Sequence, residues 1–368
     1  MLNYVLVRLP WFSPRLRRST TLGHSGSMST STKAWPTWLL LIIALPVLIT
    51  AIWAGAALWF DASAEPALAG LLLVSFLGVL TLLLTRVRPW RYTAGAVLLL
   101  TTLIGIWWWT LAPSNDRQWQ ADVARLPSAH IEGSSVRFDN FRSFHYGPGE
   151  AVDERWLSQS FDLDQLISLD VTLSSWGPEA YGHTIASWGF ADGRQLAISI
   201  ETRKEIGETF SAVGGFFRRF ELYYVVGDES DLLGVRGLQR GEKLELYQLS
   251  TTPELARAML LDYIAEINDL VEHPRWYNAL LHNCTTVMWR HAKSAGSELP
   301  INWRLLANGY LPELAQARGL VSTAMPLAEL RERSAIVPAI RAAQSVQDSP
   351  LAFSAAIRQG LPARPTRP

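Results

Sequence analysis

The amino-acid sequence predicts three N-terminal transmembrane helices followed by an α+β domain, in which an antiparallel sheet packs against helices. The chain of 368 residues is 49% hydrophobic and contains 16 tryptophans, and the apolar excess is concentrated before residue 113. After that point, segments with alternating apolar and polar residues, typical of strands, are followed by segments with helical spacing. Strands that precede helices, rather than alternate with them, are typical of the α+β class.

Three apolar runs have the length that a membrane span requires, about 20 residues. They cover residues 38–60, 66–85 and 93–112, and none contains a charged residue. Tryptophans stand at or near the ends of the runs, where amphipathic rings favour the membrane interface. A cleaved signal peptide is the alternative for the first run, but that run is long for a signal peptide and two more runs follow it. The sequence therefore predicts a membrane domain over residues 36–112.

Positive charges predict the orientation of these spans. The loop between the second and third runs contains Arg86, Arg88 and Arg91. In the loop between the first and second runs, DASAE, the charged residues are all acidic. The segment 1–35 is polar and basic, is predicted to be disordered, and contains Met28 as an alternative start. Because basic loops stay in the cytoplasm, we predict a bacterial inner-membrane protein with a cytoplasmic N-terminus and a periplasmic C-terminal domain.

The segment after the spans is long enough for a hydrophobic core of its own. It is predicted as one domain over residues 113–345, followed by a loose tail over residues 346–368. Basic and acidic residues are equal in number, at 33 each, which argues against a nucleic acid partner. The sequence contains no glycine-rich phosphate loop and no paired-cysteine spacing, so neither a cofactor nor a metal site is predicted.

The predicted domain contains one clear hairpin. Two alternating runs over residues 183–205 flank Asp192-Gly193, a strong signal for a turn between antiparallel strands. The other strands are predicted over residues 134–146, 162–176, 217–227 and 243–250. Helices are predicted over residues 253–271 and 284–295, with shorter helices near 302–318 and 326–345.

Cys284 is the only cysteine of the chain, so it cannot form an intramolecular disulfide. Asn283, directly before it, is a good N-cap and would place the thiol in the first turn of a helix. The helix dipole stabilises an anion at that position and lowers the pKa of a thiol. The same backbone N–H groups, or the Asn283 amide, are candidates to hold the oxyanion during acyl transfer.

Three histidines compete for the role of the base. His291 lies two turns further along the same helix, about 10 Å away at ~1.5 Å of rise per residue. His282 precedes the cap and is expected to point away from the thiol. His183 begins the first strand of the hairpin and can approach the thiol from elsewhere in the fold, so it is the predicted base.

The hairpin register predicts the partner of His183. If residues 191–193 form a three-residue loop with Gly193 as a bulge, His183 faces Glu201 across the ladder. A carboxylate opposite an imidazole orients a catalytic base. A two-residue loop would shift the pairing to Thr202. The alternative for all of these residues is structural: a cysteine that only packs, a histidine that only supports the hairpin, and a glutamate at the surface.

Four segments of the chain resemble one known family. They are DNFRSFHY (139–146), HTIASWGFADGRQLAISIETRKEIGE (183–208), FRRFELYYVVGDESDLLGVR (217–236) and WYNALLHNCTT (276–286). Together they resemble the Lnb N-terminal periplasmic domain, over roughly residues 116–310. The resemblance implies a circularly permuted papain-like thiol fold, in which the histidine precedes the cysteine in the chain.

The family takes its name from a lipoprotein N-acyltransferase, so the resemblance implies acyl transfer through a thiol. It also implies a phospholipid acyl donor and a lipoprotein acceptor. Two features depart from the family pattern. The three spans precede the thiol domain instead of following it, and Glu229-Ser230-Asp231 stands where relatives often have arginine between the two acids.

The sequence thus leads to one functional hypothesis with two alternatives. The hypothesis is a membrane-anchored periplasmic thiol acyltransferase or hydrolase, acting on a lipid or lipoprotein acyl or amide bond. Its site residues are Cys284 as nucleophile, His183 as base, Glu201 as orienting carboxylate and Asn283 beside the oxyanion. The alternatives are a papain-like cell-wall peptidase and a non-catalytic membrane scaffold or binding domain.

Overall fold

The structure is a computed structural model that describes residues 37–63, 65–147 and 152–365. The predicted basic segment 1–35, with Met28, lies outside the described residues. The chain divides into two compact units, Met1–Pro46 and Val47–Pro368. The described part of the first unit is the beginning of one helix, and the second unit contains every other element described below.

Three helices at the N-terminus are long and apolar enough to cross a membrane, which confirms the predicted spans. They are α1 (Thr37–Asp61), α2 (Pro66–Arg86) and α3 (Trp90–Thr110). Small side chains let them approach closely, as is usual between membrane helices. Ala54 of α1 is fully buried and packs with Phe76 of α2 and Val97 of α3. Large apolar side chains such as Ile52 stay exposed on the outer surfaces of the helices.

The domain that follows is built on an eight-stranded sheet. In chain order the strands are β1 (Ser128–Glu132), β2 (Ser135–Arg142), β3 (His145–Tyr146), β4 (Val152–Asp153), β5 (Trp156–Asp162), β6 (Leu166–Ser175), β7 (Gly182–Phe190), β8 (Gln195–Arg203), β9 (Glu221–Gly227) and β10 (Lys243–Gln248). The sheet order is β1-β2-β9-β8-β7-β6-β10, with β5 paired to β2, while β3 and β4 form a separate pair. Neighbours are antiparallel except for β2 and β9, which are parallel. The α+β class is confirmed, with a mixed rather than purely antiparallel sheet.

Helices cover both faces of this sheet. They are α4 (Glu229–Leu232), α5 (Pro253–Glu272), α6 (Cys284–Ser294), α7 (Leu311–Ala317), α8 (Leu327–Arg333), α9 (Val337–Ala342) and α10 (Pro350–Ile357). On one face Ile198 packs in a core with Tyr263 of α5 and Val287 of α6. On the other face the next residue along β8, Ala197, packs with Ile340 of α9 and Phe353 of α10. Because successive side chains of a strand point to opposite faces, β7, β8 and β9 are buried almost throughout.

The segment after residue 345 is not the loose tail that the sequence predicts. Helix α10 begins after Ser349, whose side chain accepts a hydrogen bond from the Ala352 N–H, and Phe353 within it is fully buried. Arg358, at its end, pairs with two buried acids, Asp170 at 2.9 Å and Glu229 at 2.6 Å. The prediction was wrong because the segment, taken on its own, is only weakly apolar and gives no sign that it packs against the rest of the domain. The acids that hold it lie more than 100 residues earlier in the chain.

These ion pairs explain the Glu229-Ser230-Asp231 segment in structural terms. Burial alone would raise the pKa of Glu229, but the Arg358 guanidinium lowers it below the usual value. Asp231, fully buried, accepts two hydrogen bonds from Arg142, each 2.8 Å long. Both acids are therefore buried partners of arginines.

We expect Arg358→Ala to lower the free energy of unfolding by about 3–5 kcal/mol, because it leaves Glu229 buried without a counterion. The stabilisation should be present at neutral pH and lost as the pH falls through the lowered pKa of Glu229. Denaturant unfolding of the full chain in detergent, followed by tryptophan fluorescence, measures it. The control is Arg333→Ala, which removes an exposed pair with Glu329 and should cost no more than about 0.5 kcal/mol. Equal losses in the two variants would contradict the expectation.

Candidate active site

The β7–β8 hairpin has the three-residue loop that the sequence predicts. The Phe190 N–H donates to the Arg194 carbonyl at 3.0 Å, and Gly193 has a φ of +87°, a conformation that favours glycine. The paired residues run from Gly189 with Gln195 to Ile185 with Ser199. Continued by two residues, this register places His183 opposite Glu201, as predicted.

The structure brings His183 and Glu201 together. The Nε2 atom of His183 lies 3.1 Å from Oε1 of Glu201 and 2.6 Å from Oγ of Ser199. The Ser199 hydroxyl also contacts Glu201 Oε1, at 2.6 Å. The carboxylate thus holds the imidazole both directly and through Ser199. The sequence analysis missed Ser199, although it stands two residues before Glu201 and therefore on the same face of β8.

Cys284 occupies the first turn of α6, as predicted, and Asn283 is the N-cap. The Asn283 Oδ1 atom accepts from the N–H groups of Thr285 at 3.0 Å and Thr286 at 2.8 Å. The Thr286 hydroxyl in turn accepts from the Asn283 N–H at 3.1 Å. This reciprocal capping box fixes the start of the helix.

The same contacts do not support the predicted oxyanion role for the Asn283 amide. Its Nδ2 atom donates to the Ala279 carbonyl at 2.8 Å, and its oxygen is occupied by the two helix N–H groups. The backbone N–H of Cys284, by contrast, makes no hydrogen bond within residues 37–63, 65–147 and 152–365. The unoccupied donor at the start of α6 is therefore the backbone of the cysteine itself.

Cys284 and His183 form a buried pair, with 5% and 7% of their surfaces exposed. Burial alone would raise the pKa of the thiol, but the charge and hydrogen bond of His183 lower it to about 7. Burial would likewise lower the pKa of His183, but the Glu201 carboxylate raises it to about 9. Because Nε2 faces Ser199 and Glu201, Nδ1 is the ring nitrogen left to face the sulfur. Both shifts in pKa favour a thiolate beside an imidazolium.

Asn308 joins the two elements that carry this pair, and the sequence analysis missed it. Its Nδ2 atom lies 3.0 Å from the Thr285 hydroxyl and 3.8 Å from the Cys284 sulfur. Its amide also exchanges two hydrogen bonds of 2.6 Å with the backbone of Gly182, the residue before His183. The adjacent Gly309 has to be glycine, because a Cβ there would lie 1.7 Å from the Glu179 carbonyl oxygen. Asn308 therefore holds the strand of the histidine against the helix of the cysteine.

Arg236 contacts the same Oε1 atom of Glu201 that His183 contacts, and it too was missed. Its guanidinium lies 2.6 Å from Glu201 and 3.0 Å from Glu242, and only 4% of Arg236 is exposed. Burial alone would raise the pKa of Glu201, but His183 and Arg236 together hold it well below its usual value. Glu201 therefore stays ionised beside the imidazole.

The other two candidate histidines have partners of their own in the fold. His291 is buried against Tyr224, whose hydroxyl is 2.7 Å from Nε2, and Asp262, which is 2.6 Å from Nδ1. His282 lies in the turn before the cap, where its N–H donates to the Asn278 carbonyl. Both ring nitrogens of His291 are thus occupied in the core.

One family model matches this chain, and it is described as the Lnb N-terminal periplasmic domain. The match covers residues 152–309, which is less than half of the chain but contains the whole cluster from His183 to Asn308. The resemblance inferred from the sequence is confirmed by this match. No curated protein and no solved structure matches the chain.

The buried pair makes a prediction about thiol reactivity. Alkylation of Cys284 by a small neutral reagent should rise as the pH passes about 7, the pKa to which His183 lowers the thiol. In His183→Ala the thiol loses the charge and hydrogen bond that lower its pKa most, while burial still raises that pKa, so the rate at pH 7.5 should fall roughly 10-fold or more. Mass spectrometry of the alkylated chain follows the reaction.

The control for this measurement is His282→Ala, which changes a half-buried imidazole in the turn and should leave the pH profile unchanged. If the alkylation of Cys284 needs denaturant, the thiol only packs. If His183→Ala alkylates as fast as the unchanged protein, the imidazole does not activate the thiol.

The Asn283 cap makes a second prediction. Asn283→Ala should lower the free energy of unfolding by about 1 kcal/mol and slow alkylation of Cys284 at pH 7.5, because the first turn of α6 loosens around the thiol. Asn302→Ala is the matched control, since Asn302 caps a short helix by accepting from the Arg304 N–H. It should cost similar stability with no change in alkylation. If Cys284 is alkylated at the same rate in both variants, Asn283 contributes only to the stability of the fold and not to the reactivity of the thiol.

Proposed function

We propose that this protein is a membrane-anchored thiol acyltransferase or hydrolase that forms an acyl-enzyme on Cys284. The observation that supports this proposal most is the buried pair of Cys284, at the first turn of α6, and His183. The carboxylate of Glu201, whose pKa is held low, lies beside the imidazole. Burying charges is costly unless they are paired, and a cysteine that only fills space needs no charged partner. Perturbed pKa values in such clusters are typical of reactive sites.

The proposed reaction has two steps. The Cys284 thiolate attacks an ester or amide carbonyl, a carbon–sulfur bond forms, and the bond to the leaving group breaks. His183, which already carries the thiol proton, gives it to the leaving alcohol or amine. In the second step His183 takes a proton from the attacking acceptor, and the thioester is cleaved. An amine acceptor makes the enzyme a transferase, and water makes it a hydrolase.

Three further groups support this chemistry without reacting. The backbone N–H of Cys284, which has no hydrogen-bond partner among the described residues, is the proposed donor to the developing oxyanion. Glu201 orients the imidazole, and Asn308 keeps it beside the sulfur, so that little ordering remains when the reaction begins. This division of roles replaces the oxyanion role that the sequence suggested for the Asn283 amide.

The three helices that precede the domain favour a substrate held in the membrane. A lipid or lipoprotein acyl or amide bond is therefore the proposed target. The arginines at the junction of α2 and α3, against the acids at the junction of α1 and α2, support an inner-membrane protein with its domain in the periplasm. A cell-wall peptide is the alternative substrate, since the same thiol chemistry cleaves peptide bonds.

A non-catalytic role is the alternative that one observation favours. Cys284 belongs to the same hydrophobic core as Tyr263 and Val287, so it does contribute to packing. A binding domain, however, would not need the carboxylate and guanidinium that keep charge beside the sulfur.

An acyl adduct on Cys284 tests the proposal. After incubation in native membranes, mass spectrometry should find an acyl group on Cys284 of the unchanged protein and none in Cys284→Ala. His183→Ala should also lack the adduct, because the thiol is then protonated and the leaving group receives no proton. Glu201→Gln should retain an intermediate amount, since an amide still accepts a hydrogen bond but leaves the imidazole without a counterion.

His282→Ala is the control and should retain nearly all of the adduct. The topology is checked in the same strain, with a reporter enzyme that is active only outside the inner membrane. The reporter should be active after residue 130 and silent near Arg88. A reactive Cys284 that never carries an acyl group would contradict the acyl-enzyme, and a peptide adduct instead would favour the peptidase.

A further inference from the structure

Two adjoining turns of the domain expose large apolar side chains. The turns cover residues 211–217 and 278–282, and the second leads directly into the helix of Cys284. We call their four exposed apolar residues the apolar rim. They are Val213, Phe216, Leu280 and Leu281, with 56%, 48%, 47% and 67% of their surfaces exposed.

Backbone hydrogen bonds hold the apolar rim rigid. The Ala279 N–H donates to the Gly215 carbonyl at 2.7 Å, which joins the two turns. Within the second turn, the Asn278 side chain accepts from the N–H groups of Leu280 and Leu281, each at 3.0 Å. The Asn278 carbonyl also accepts from the His282 N–H at 2.9 Å. The two leucines therefore point outward from a fixed turn and cannot fold back to bury themselves.

The first of these turns also contacts the ends of the membrane helices. The Phe217 ring stacks on that of Phe60, in the last turn of α1, with centroids 5.2 Å apart. Arg219 donates to the Phe60 carbonyl at 2.9 Å. Arg218 donates to three carbonyls at the end of α3, the closest being that of Leu111 at 2.7 Å. Since α1 and α3 both end here, these contacts lie where two spans leave the same side of the bilayer.

The two arginines suit this position for an electrostatic reason. The C-terminal carbonyls of a helix lack intrahelical partners and carry partial negative charge, which a guanidinium satisfies. Arg218 also lies 4.1 Å above the Trp108 ring, and 76% of the neighbouring Trp109 is exposed. Tryptophans at the end of a span are typical of the membrane interface. The turn that carries Val213 and Phe216 therefore lies beside the ends of α1 and α3, where the membrane interface is expected.

We propose that the apolar rim inserts into the boundary between headgroups and acyl chains, in the leaflet where α1 and α3 end. Exposed apolar side chains beside polar backbone are what interfacial segments bury, typically about 5–10 Å into this boundary. Continuity with the spans identifies the bilayer as the occupant, because a turn that contacts Phe60 is already at the membrane surface. Leu281 precedes Cys284 by three residues, so insertion also brings the thiol site to the lipid surface. The inference does not depend on acyl transfer.

A fluorescence experiment tests the insertion in the full chain. In the Cys284→Ala variant no other cysteine remains, so Leu281→Cys gives a single labelling site for an environment-sensitive dye. The protein is reconstituted into phosphatidylglycerol–phosphatidylethanolamine vesicles, with or without lipids that carry a quencher near the top of the acyl chain. We expect blue-shifted emission, strong loss of emission with the quencher lipids, and little quenching by aqueous iodide.

The matched control is Ile167→Cys in the same background. Ile167 is 54% exposed and lies beside Leu166, which pairs with Phe190 at the hairpin tip. That tip is the length of β7 away from His183, roughly 25 Å at ~3.3 Å per residue. A dye there should be quenched by iodide and not by the quencher lipids. Val213→Cys should behave like Leu281→Cys, which provides a second reading if either substitution disturbs the fold.

Two results would overturn the proposal. Iodide quenching at both rim positions, without quenching by lipids, would mean that the apolar rim stays in water. Protection from both quenchers, relieved when the protein is diluted in the bilayer, would mean that a second copy of the chain covers the apolar rim instead.

Discussion

The charge on a buried imidazole is the constraint on which the rest of the domain depends. Burial would lower the pKa of His183, but the Glu201 carboxylate and the Cys284 sulfur raise it to about 9, which favours the protonated imidazole. The pKa of Glu201 is in turn held well below its usual value by His183 and Arg236, and Arg236 also pairs with Glu242. Each of these groups would be costly to bury alone. These groups come from β7, β8, the segment after α4 and the start of α6. Each of these elements therefore depends on the others for the pairing of its buried charge.

Much of this arrangement could be predicted because it is encoded locally. The loop around Gly193 determines the hairpin register, and the register alone places His183 opposite Glu201. The residue before Cys284 likewise predicts both a helix start and its cap. Asn308, Arg236 and Arg358 could not be found in this way, since their partners lie between 6 and 188 residues away in the chain. The spacing and periodicity of residues in the sequence do not indicate such contacts between distant segments. The prediction of a loose tail after residue 345 was wrong for the same reason.

The two faces of the sheet carry different groups: one carries the thiol, and the other carries the buried ion pairs of Arg358. On one face, α5 and α6 bury a core that includes the thiol, so Cys284 belongs to a hydrophobic cluster of the domain. On the other face, α9 and α10 cover the same strands and supply Arg358 to the buried acids. Because β7 and β8 are buried on both sides, the imidazole and its carboxylate have little freedom to move. A reactive pair placed on such strands keeps its geometry better than one placed on surface loops.

The bonds from Arg218 and Arg219 to the ends of two spans have a geometric consequence. They link the thiol to the membrane helices, since both arginines directly follow the turn 211–217, which is bonded through Gly215 to the turn before Cys284. Under the proposed function, this linkage would fix the level at which the thiol meets a substrate. A bond at the matching level of the leaflet would then reach the sulfur as its lipid diffuses sideways, whereas a chemically identical bond further out in water would not. Substrates would be selected by their depth before any pocket distinguishes their shape.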